Sequence, residues 1–231
     1  MRKWNDLPKE MQVEQVKKYY EILQCHKGSL LAKRIFDIIV ASLLVVILSP
    51  ILLLLSILIK IDSPGPVMFR QVRVTTYGKP FRIFKFRTMV NNADKIGTQV
   101  TTKGDSRVTR MGKMLRGCRL DELPQLFNVL KGEMSFVGTR PEVEKYVDQY
   151  SEEMMATLFL PAGITSYASI MYKDEDERIG AYQKQTGKSV DEIYREYILP
   201  EKMKYNLKYL EEFSIWRDMK LMLMTVAAVL K

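Results

Sequence analysis

Two adjacent carboxylates, Asp121 and Glu122, stand in the stretch RGCRLDELPQLFNVLKGEMSFVGTRPE (residues 116–142), just ahead of Pro124. Acids placed before a proline suit the first turn of a helix, where either side chain would serve as an N-cap. Neighbouring residues do not share a helix face, so a paired acid–base arrangement is not implied. The alternative to capping is a division of labour, with one carboxylate attacking phosphorus and the other holding a cation. A second chemistry-bearing stretch is FRIFKFRTM (81–89), where strand alternation puts Phe81, Ile83, Lys85 and Arg87 on one face. Two cations one strand step apart can hold a phosphate; the plainer role is a solvated basic edge facing a membrane.

The elements that must position these groups are legible in outline. VMFRQVRV and FRIFKFRTM form two strands joined through YGKP, a hairpin signal with Gly and Pro in the turn. Residues 91–105 are a polar connection. SRVTRMGKMLRGCRL (106–120) is amphipathic at helical spacing, setting Val108, Met111, Met114 and Leu115 against Arg107, Arg110, Lys113 and Arg116. Such a helix can lie in a lipid interface or on an ordinary protein surface. A helix over Pro8 to Gln24, broken at Gly28 and Ser29, presents Met11, Val13, Val16, Tyr19, Tyr20 and Leu23 as a loose apolar face. Its default role is surface-lying or partner-facing. The lone His26 has no second histidine with which to form a cluster. Near the C-terminus, Leu221 to Leu230 is an apolar run too short to span a bilayer, and Trp216, Arg217 and Lys220 precede it as residues that favour the lipid boundary.

Charge and hydropathy fix the surroundings. The net charge is +9, and residues 1–90 carry all of it, with 15 Lys and Arg against 6 Asp and Glu. That excess flanks an apolar run, Ile38 to Ile59, of 22 residues without a charge. A basic third beside such a run points to an anionic membrane surface and away from nucleic acid. The run starts too late for a cleavable signal peptide, and no small-residue cleavage site follows it. Its length suits a single-span anchor. Three features favour a helix that dips into lipid and returns to the same face. Pro50 lacks a donor and crowds the Val46 carbonyl, Ser49 can bond the freed backbone, and basic residues lie at both ends of the run. Cys25 and Cys118 match no metal or disulfide framework, which fits a reduced, cytosol-facing location.

Several ordered motifs now carry a resemblance. RLDELPQLFNVLKGEMSFVGTRPE, KRIFDIIVASLLVVILSPILLLL, PGPVMFRQVRV, FKFRTM, SRVTRMGKMLR, LPAGIT and DMKLMLMTVAAVLK together resemble the bacterial monotopic phosphoglycosyl transferases, also described as undecaprenyl-phosphate sugar-phosphate transferases, over residues 31–231. The resemblance implies transfer of a sugar phosphate from a UDP-sugar to polyprenol phosphate, giving polyprenyl-diphosphate-sugar and UMP. It implies Asp121 as the nucleophile of a covalent phosphosugar intermediate, Glu122 as the Mg²⁺ ligand, and Ser49-Pro50 as the break of a re-entrant helix. Cations must then hold the phosphates, and Arg116, Lys85, Arg87 and Arg140 are the candidates.

Two departures stand out. The family's Pro-Arg-Pro is Thr139-Arg140-Pro141 here. ITSYASIMYKDEDE also replaces a stretch nearer to Gly-Trp-Ala-Gln-Val-Asn-Gly-Arg, so that Lys173 takes the place of the arginine and acids follow it. Residues Ser166–Glu177 therefore mark a sub-branch with a different sugar or nucleotide pocket, or else a solvated acidic loop.

The expected architecture is α+β, mostly helical with a small β-hairpin. An N-terminal extension (1–30) would precede a re-entrant membrane helix (31–60) and a catalytic domain with interfacial helices (61–231). The expected place is the cytosolic face of the bacterial inner membrane. Expected partners are UDP-sugar, polyprenol phosphate and membrane lipids, without nucleic acid and with homodimer formation left open. The competing function is a non-catalytic membrane adaptor for glycan-assembly enzymes.

Overall fold

The computed structural model describes residues 1–93, 105–172 and 174–229. Two 3-10 turns, Trp4–Asp6 and Lys9–Met11, lead into helix α1 (Glu14–Cys25). Met11, Val16, Tyr19 and Leu23 are at most 1% exposed and pack with Phe159, Tyr209 and Leu210 in the largest apolar cluster. The N-terminal helix is thus part of the core, which corrects the expectation of a surface-lying one. The break after it also comes earlier than Gly28, at His26. The Leu30 N–H bonds the His26 carbonyl, so α2 (Lys27–Asp62) has begun before the glycine and carries its propensity cost of about 1 kcal/mol in the first turn.

Helix α2 has 36 residues, about 54 Å at 1.5 Å per residue, and is long and apolar enough to cross a membrane by length and composition. It stays helical through Pro50. The Ser49 Oγ donates to the Val46 carbonyl at 2.8 Å, the acceptor that the proline ring crowds. Both halves of the helix pack on the same protein body. In the first half, Ala41 is buried against Phe81, Ile83, Leu126 and Val129, and Arg34 donates to the Val129 and Leu130 carbonyls. In the second, Leu55 and Ile59 are buried with Phe86 and Leu115. The opposite face is bare: Ile39, Val46, Leu53 and Ile61 are more than 60% exposed.

The expected hairpin is present, with β1 (Met68–Val74) antiparallel to β2 (Pro80–Phe86) around a turn at Thr76–Gly78. The 106–120 segment condenses to α3 (Arg110–Gly117), started by a Thr109 side-chain cap; Leu115 is buried while Met114 remains exposed. After α4 (Gln125–Lys131) comes a second, unanticipated sheet. Strand β3 (Met134–Val137), a short helix α5 (Glu144–Val147) and strand β4 (Ala162–Thr165) follow in order, with β3 parallel to β4. A Cβ on Gly163 would lie 2.3 Å from the Gly138 nitrogen, so this pairing depends on glycine. The chain closes with α6 (Tyr167–Met171), α7 (Glu175–Thr186), α8 (Val190–Ile193), a π-helical segment Tyr194–Ile198, α9 (Leu199–Glu211) and α10 (Ile215–Val229). Along α10, Leu221 is buried and Trp216, Leu223 and Val226 are exposed. The buried pair Lys33–Asp218, 2.5 Å, joins α10 to the base of α2.

Candidate active site

Asp121 and Glu122 sit on a 3-10 turn, Leu120–Glu122, entered through Arg119 in the left-handed conformation (φ 53°). Neither caps a helix, which corrects the capping alternative. The turn runs straight on into α4, and the Leu123 and Phe127 N–H groups already bond the Leu120 and Pro124 carbonyls. What fixes the turn is packing: Leu120 and Leu123 flank the two acids and rest on the cluster of Leu55, Ile59, Phe86 and Leu115. Asn128 in α4 locks the neighbouring strand by accepting from the Phe84 N–H (2.9 Å) and donating to the Arg82 carbonyl (2.9 Å).

Glu122 is gripped by two cations through a single oxygen. Lys85 Nζ and Arg140 Nη2 each lie 2.8 Å from Oε1. Burial opposes its charge, yet Arg140 and Lys85 outweigh that and hold the carboxyl well below the usual carboxylate range. Glu122 in turn keeps Arg140 firmly charged, while burial pulls the Lys85 ammonium down. Asp121 is 9% exposed and makes no ion pair among the described residues. Burial pushes its carboxyl up, against the pull of Lys85, with Glu122 adding to the rise. Two adjacent acids thus have opposite electrostatic characters.

Arg116 reaches the same cavity from α3. Its Nε donates to Thr88 Oγ1 (2.9 Å), and its remaining N–H groups make no protein hydrogen bond among the described residues. Arg140 is aimed by the strap leaving β3. There the Gly163 N–H bonds the Thr139 carbonyl (2.8 Å), and the Val74 N–H bonds the Glu142 carbonyl (2.9 Å).

Arg87 is used differently from its sequence expectation. Arg87 follows β2 with its N–H still bonded to the Val67 carbonyl (2.9 Å), and it borders the same cavity as Lys85. The Arg87 guanidinium turns to the C-terminus of α2 and donates to the carbonyls of Ile59 (3.2 Å), Ser63 (2.5 Å) and Pro66 (2.7 Å). Its side chain borders the cavity, but as a cap. Lys173 lies outside the described residues. Ser49 and Pro50 lie mid-way along α2, apart from the cavity lining.

The cavity has a volume of about 810 Å³, and its wall continues well beyond the acid pair. There Arg73, Glu142, Tyr194, Glu175 and Lys202 gather; of these only Glu175 was anticipated, as one acid of the divergent Ser166–Glu177 stretch. One signal was available: Lys202 falls on the stripe Leu199, Met203, Asn206 and Leu210, which α9 buries. Among the described residues no three His, Cys, Asp or Glu side chains group to hold a metal ion.

The bacterial sugar transferase family model matches residues 28–231. Among similar curated proteins, the UDP-glucose:undecaprenyl-phosphate glucose-1-phosphate transferase of Caulobacter vibrioides is 38% identical over 87% of this chain and 70% of its own. A UDP-N-acetylgalactosamine-undecaprenyl-phosphate N-acetylgalactosaminephosphotransferase from Aeromonas hydrophila is 37% identical over 86% of this chain and 43% of its own. An Escherichia coli protein named as the Caulobacter one is 38% identical over 85% of this chain and 39% of its own. The chain thus spans about two fifths of the length of several curated relatives that it matches.

Proposed function

The chain belongs to the bacterial sugar transferase family, and on that premise we propose that it moves a sugar 1-phosphate from a UDP-sugar to a polyprenyl phosphate at a membrane surface. The carrying observation is Asp121. It is a buried carboxylate without an ion pair among the described residues, in a cation-lined cavity, on a turn packed against the apolar helix α2.

In the first half-reaction an Asp121 carboxylate oxygen attacks the β-phosphorus of the UDP-sugar. The bond from that phosphorus to the bridging oxygen breaks, and UMP leaves with the oxygen and the electron pair. A carboxylate is a weak nucleophile, but the acyl phosphate it forms passes the group on readily. In the second half-reaction an oxygen of the polyprenyl phosphate attacks the same phosphorus and restores the Asp121 carboxylate. Arg116 and Arg140 hold phosphate oxygens through their planar forks, and Lys85 supplies a point charge. Fixed cations of this kind favour the charge that builds in the transition state.

The donor set suits Mg²⁺, an ion that keeps several waters and takes one or two carboxylates plus substrate phosphates. Glu122 would hold it, being ionised and bonded to its two cations through Oε1 alone. When bound, the ion would offset charge on the diphosphate.

The membrane arrangement follows from α2. Its two halves pack on one body while its far face is apolar and bare, which favours a helix that dips into lipid and returns to the same face, with Ser49-Pro50 at its midpoint, over a simple span. Exposed Trp216, Leu223 and Val226 on α10 add interfacial anchors. The cavity then opens toward the cytosol, where nucleotide sugars are made.

The test is UMP release from a UDP-sugar panel with polyprenyl phosphate present. Wild type is expected to release UMP and to carry a phosphosugar adduct on Asp121 visible by intact mass; Asp121→Asn is expected to lose both. Full activity in Asp121→Asn would remove Asp121 as the nucleophile. No release from a broad panel would favour a non-catalytic role.

A further inference from the structure

Beyond the phosphate-holding cations the cavity wall contains a second polar cluster with a different composition. Lys202, 6% exposed, pairs with Glu175 at 3.0 Å, lies 3.9 Å from Glu142 and donates to the Tyr194 hydroxyl at 3.1 Å. Tyr194 donates its own proton to Glu142 Oε1 at 2.6 Å. Arg73 closes the group from β1, bonding the Pro141 carbonyl at 3.2 Å, with its Nε buried and unpartnered. Burying so many ionisable groups is costly unless they serve one another or a ligand. Pure structural support would be met more cheaply by apolar side chains, as in the adjoining cluster of Ile179, Ile193, Ile198 and Met203.

We infer that this cluster, Glu142, Glu175, Tyr194 and Lys202, is the subsite that reads the hydroxyl pattern of the transferred sugar, with Glu175 as its adjustable member. The inference rests on the phosphosugar-transfer reading above and assigns the sugar end of the donor. Three observations carry it.

The first is charge. Glu142 and Glu175 are set against Lys202 and Arg73, so this end of the cavity lacks the cation excess of the phosphate-holding end, and a neutral polyhydroxyl group meets carboxylate acceptors, an ammonium donor and a phenol. Burial, then the Glu142 and Glu175 carboxylates, push the Tyr194 phenol well above its ordinary value, so it stays a donor. The second is proximity. Glu142 is two residues from Arg140, whose guanidinium bonds Glu122, and Arg140, Glu142 and Glu175 line the same cavity. The two polar groups therefore adjoin. In a UDP-sugar the sugar is joined to the attacked phosphorus by one oxygen, while the nucleoside is a further phosphate away. The cluster next to the reacting centre is accordingly the sugar's.

The third is the divergent stretch of sequence. Glu175 and Tyr172 belong to or adjoin ITSYASIMYKDEDE, the segment that departs from the family pattern, and both line the cavity. The acids of this segment are not uniformly a solvated loop. Glu175 is turned inward onto Lys202 from the first residue of α7, whereas Asp174 and Glu177 are exposed. Divergence at a sugar-reading wall is the expected signature of a changed sugar preference.

The test separates the sugar end from the nucleotide end. Dissociation constants for UMP and for UDP-linked glucose, galactose, N-acetylglucosamine and N-acetylgalactosamine are measured on the full chain in detergent without lipid acceptor. Asp121→Asn serves as background so that nothing turns over. Glu175→Gln and Glu175→Asp are then added. The expected result is a change of about 10-fold or more in the ratio of affinities among the sugars, because sites that hydrogen-bond a hydroxyl discriminate strongly, with UMP affinity held within about 2-fold. Equal weakening of every sugar, or no change, would assign the cluster to structure and overturn the inference. A shift in UMP affinity with the sugar ranking unchanged would assign it to the nucleotide and overturn it equally. Failure of the phosphosugar-transfer reading would instead appear as absent UMP release by the Asp121 wild type, whatever the binding constants show.

Discussion

Replacing Lys33 by Met should expose how α2 is held to the body. The ammonium pairs with Asp218 at 2.5 Å, and the two side chains are 8% and 5% exposed. Asp218 also accepts from the Tyr209 hydroxyl at 2.7 Å, with Asp37 nearby. Methionine preserves the apolar stem and removes only the charge. It strands Asp218 with a single hydrogen bond, and breaking a buried pair from one side costs about 3–5 kcal/mol. Burial already pushes the Asp218 carboxyl up, followed in effect by the opposing pull of Lys33. A carboxyl whose folded pKa lies above its unfolded value favours the fold when protonated, and that contribution fades as pH rises through the folded pKa. Without Lys33 the folded pKa rises further. The variant's deficit should therefore be largest near pH 8 and shrink toward pH 5, by up to about 1.4 kcal/mol for each pH unit below the variant's folded pKa. Urea unfolding in detergent across that range measures it. Lys33→Met with Asp218→Asn should recover at least about 2 kcal/mol at pH 8, since no uncompensated charge remains. A single-variant loss below about 1 kcal/mol at pH 8, or one flat with pH, would refute the account of a buried, mutually dependent pair.

Three further outcomes test the N-terminal segment and the topology of helix α2. Deleting residues 1–25 uncovers Phe159, Tyr209 and Leu210, so the product should be aggregated or protease-sensitive in size-exclusion and limited-proteolysis assays; a well-behaved monomeric product with full UMP release would contradict the core role of α1. Accessibility tags at residues 1 and 229 should both report the cytosolic side, and Pro50→Ala, which restores a good helix former where proline costs about 3 kcal/mol, should send a measurable fraction across the membrane. Tags on opposite sides in the wild type would establish a simple span.

Local chemistry was readable from the sequence wherever a short motif determined it. The hairpin followed from strand alternation interrupted by Tyr-Gly-Lys-Pro, and its register now pairs Gln71 with Ile83. Lys85, Arg116 and Arg140 were nominated once the resemblance called for phosphate-holding cations, and all three line the cavity with the acid pair. What escaped depended on partners distant in sequence. The apolar face of α1 looked unpartnered because Phe159 and Tyr209 lie more than 130 residues away. The β3–β4 pair is only four residues per strand, too short for alternation to declare it. Arg87 lies on the cavity wall with Lys85 as alternation placed it, but its cap on the end of α2 depends on Ile59, Ser63 and Pro66, more than 20 residues away. Lys202 was hidden among the apolar residues of α9, where a buried lysine is legible only once Glu142 and Glu175 are seen to face it.

The same contrast explains why the acid pair and the apolar helix belong to one device. In the proposed reaction Asp121 receives a phosphosugar from water and hands it to a lipid, which requires its height above the lipid to be fixed. Leu120 and Leu123, on either side of the two acids, pack into the cluster that the second half of α2 completes with Leu52, Leu55 and Ile59. Arg87 caps the end of that helix from the residue directly following β2, and Lys85, two positions earlier, bonds Glu122. Asp121, Glu122 and their cations are thus tied to the apolar helix α2 through contiguous packing and short hydrogen bonds. A helix anchored only as a tether would need none of these contacts. Their presence is what a catalytic turn requires if its substrates arrive from opposite sides of the headgroup layer.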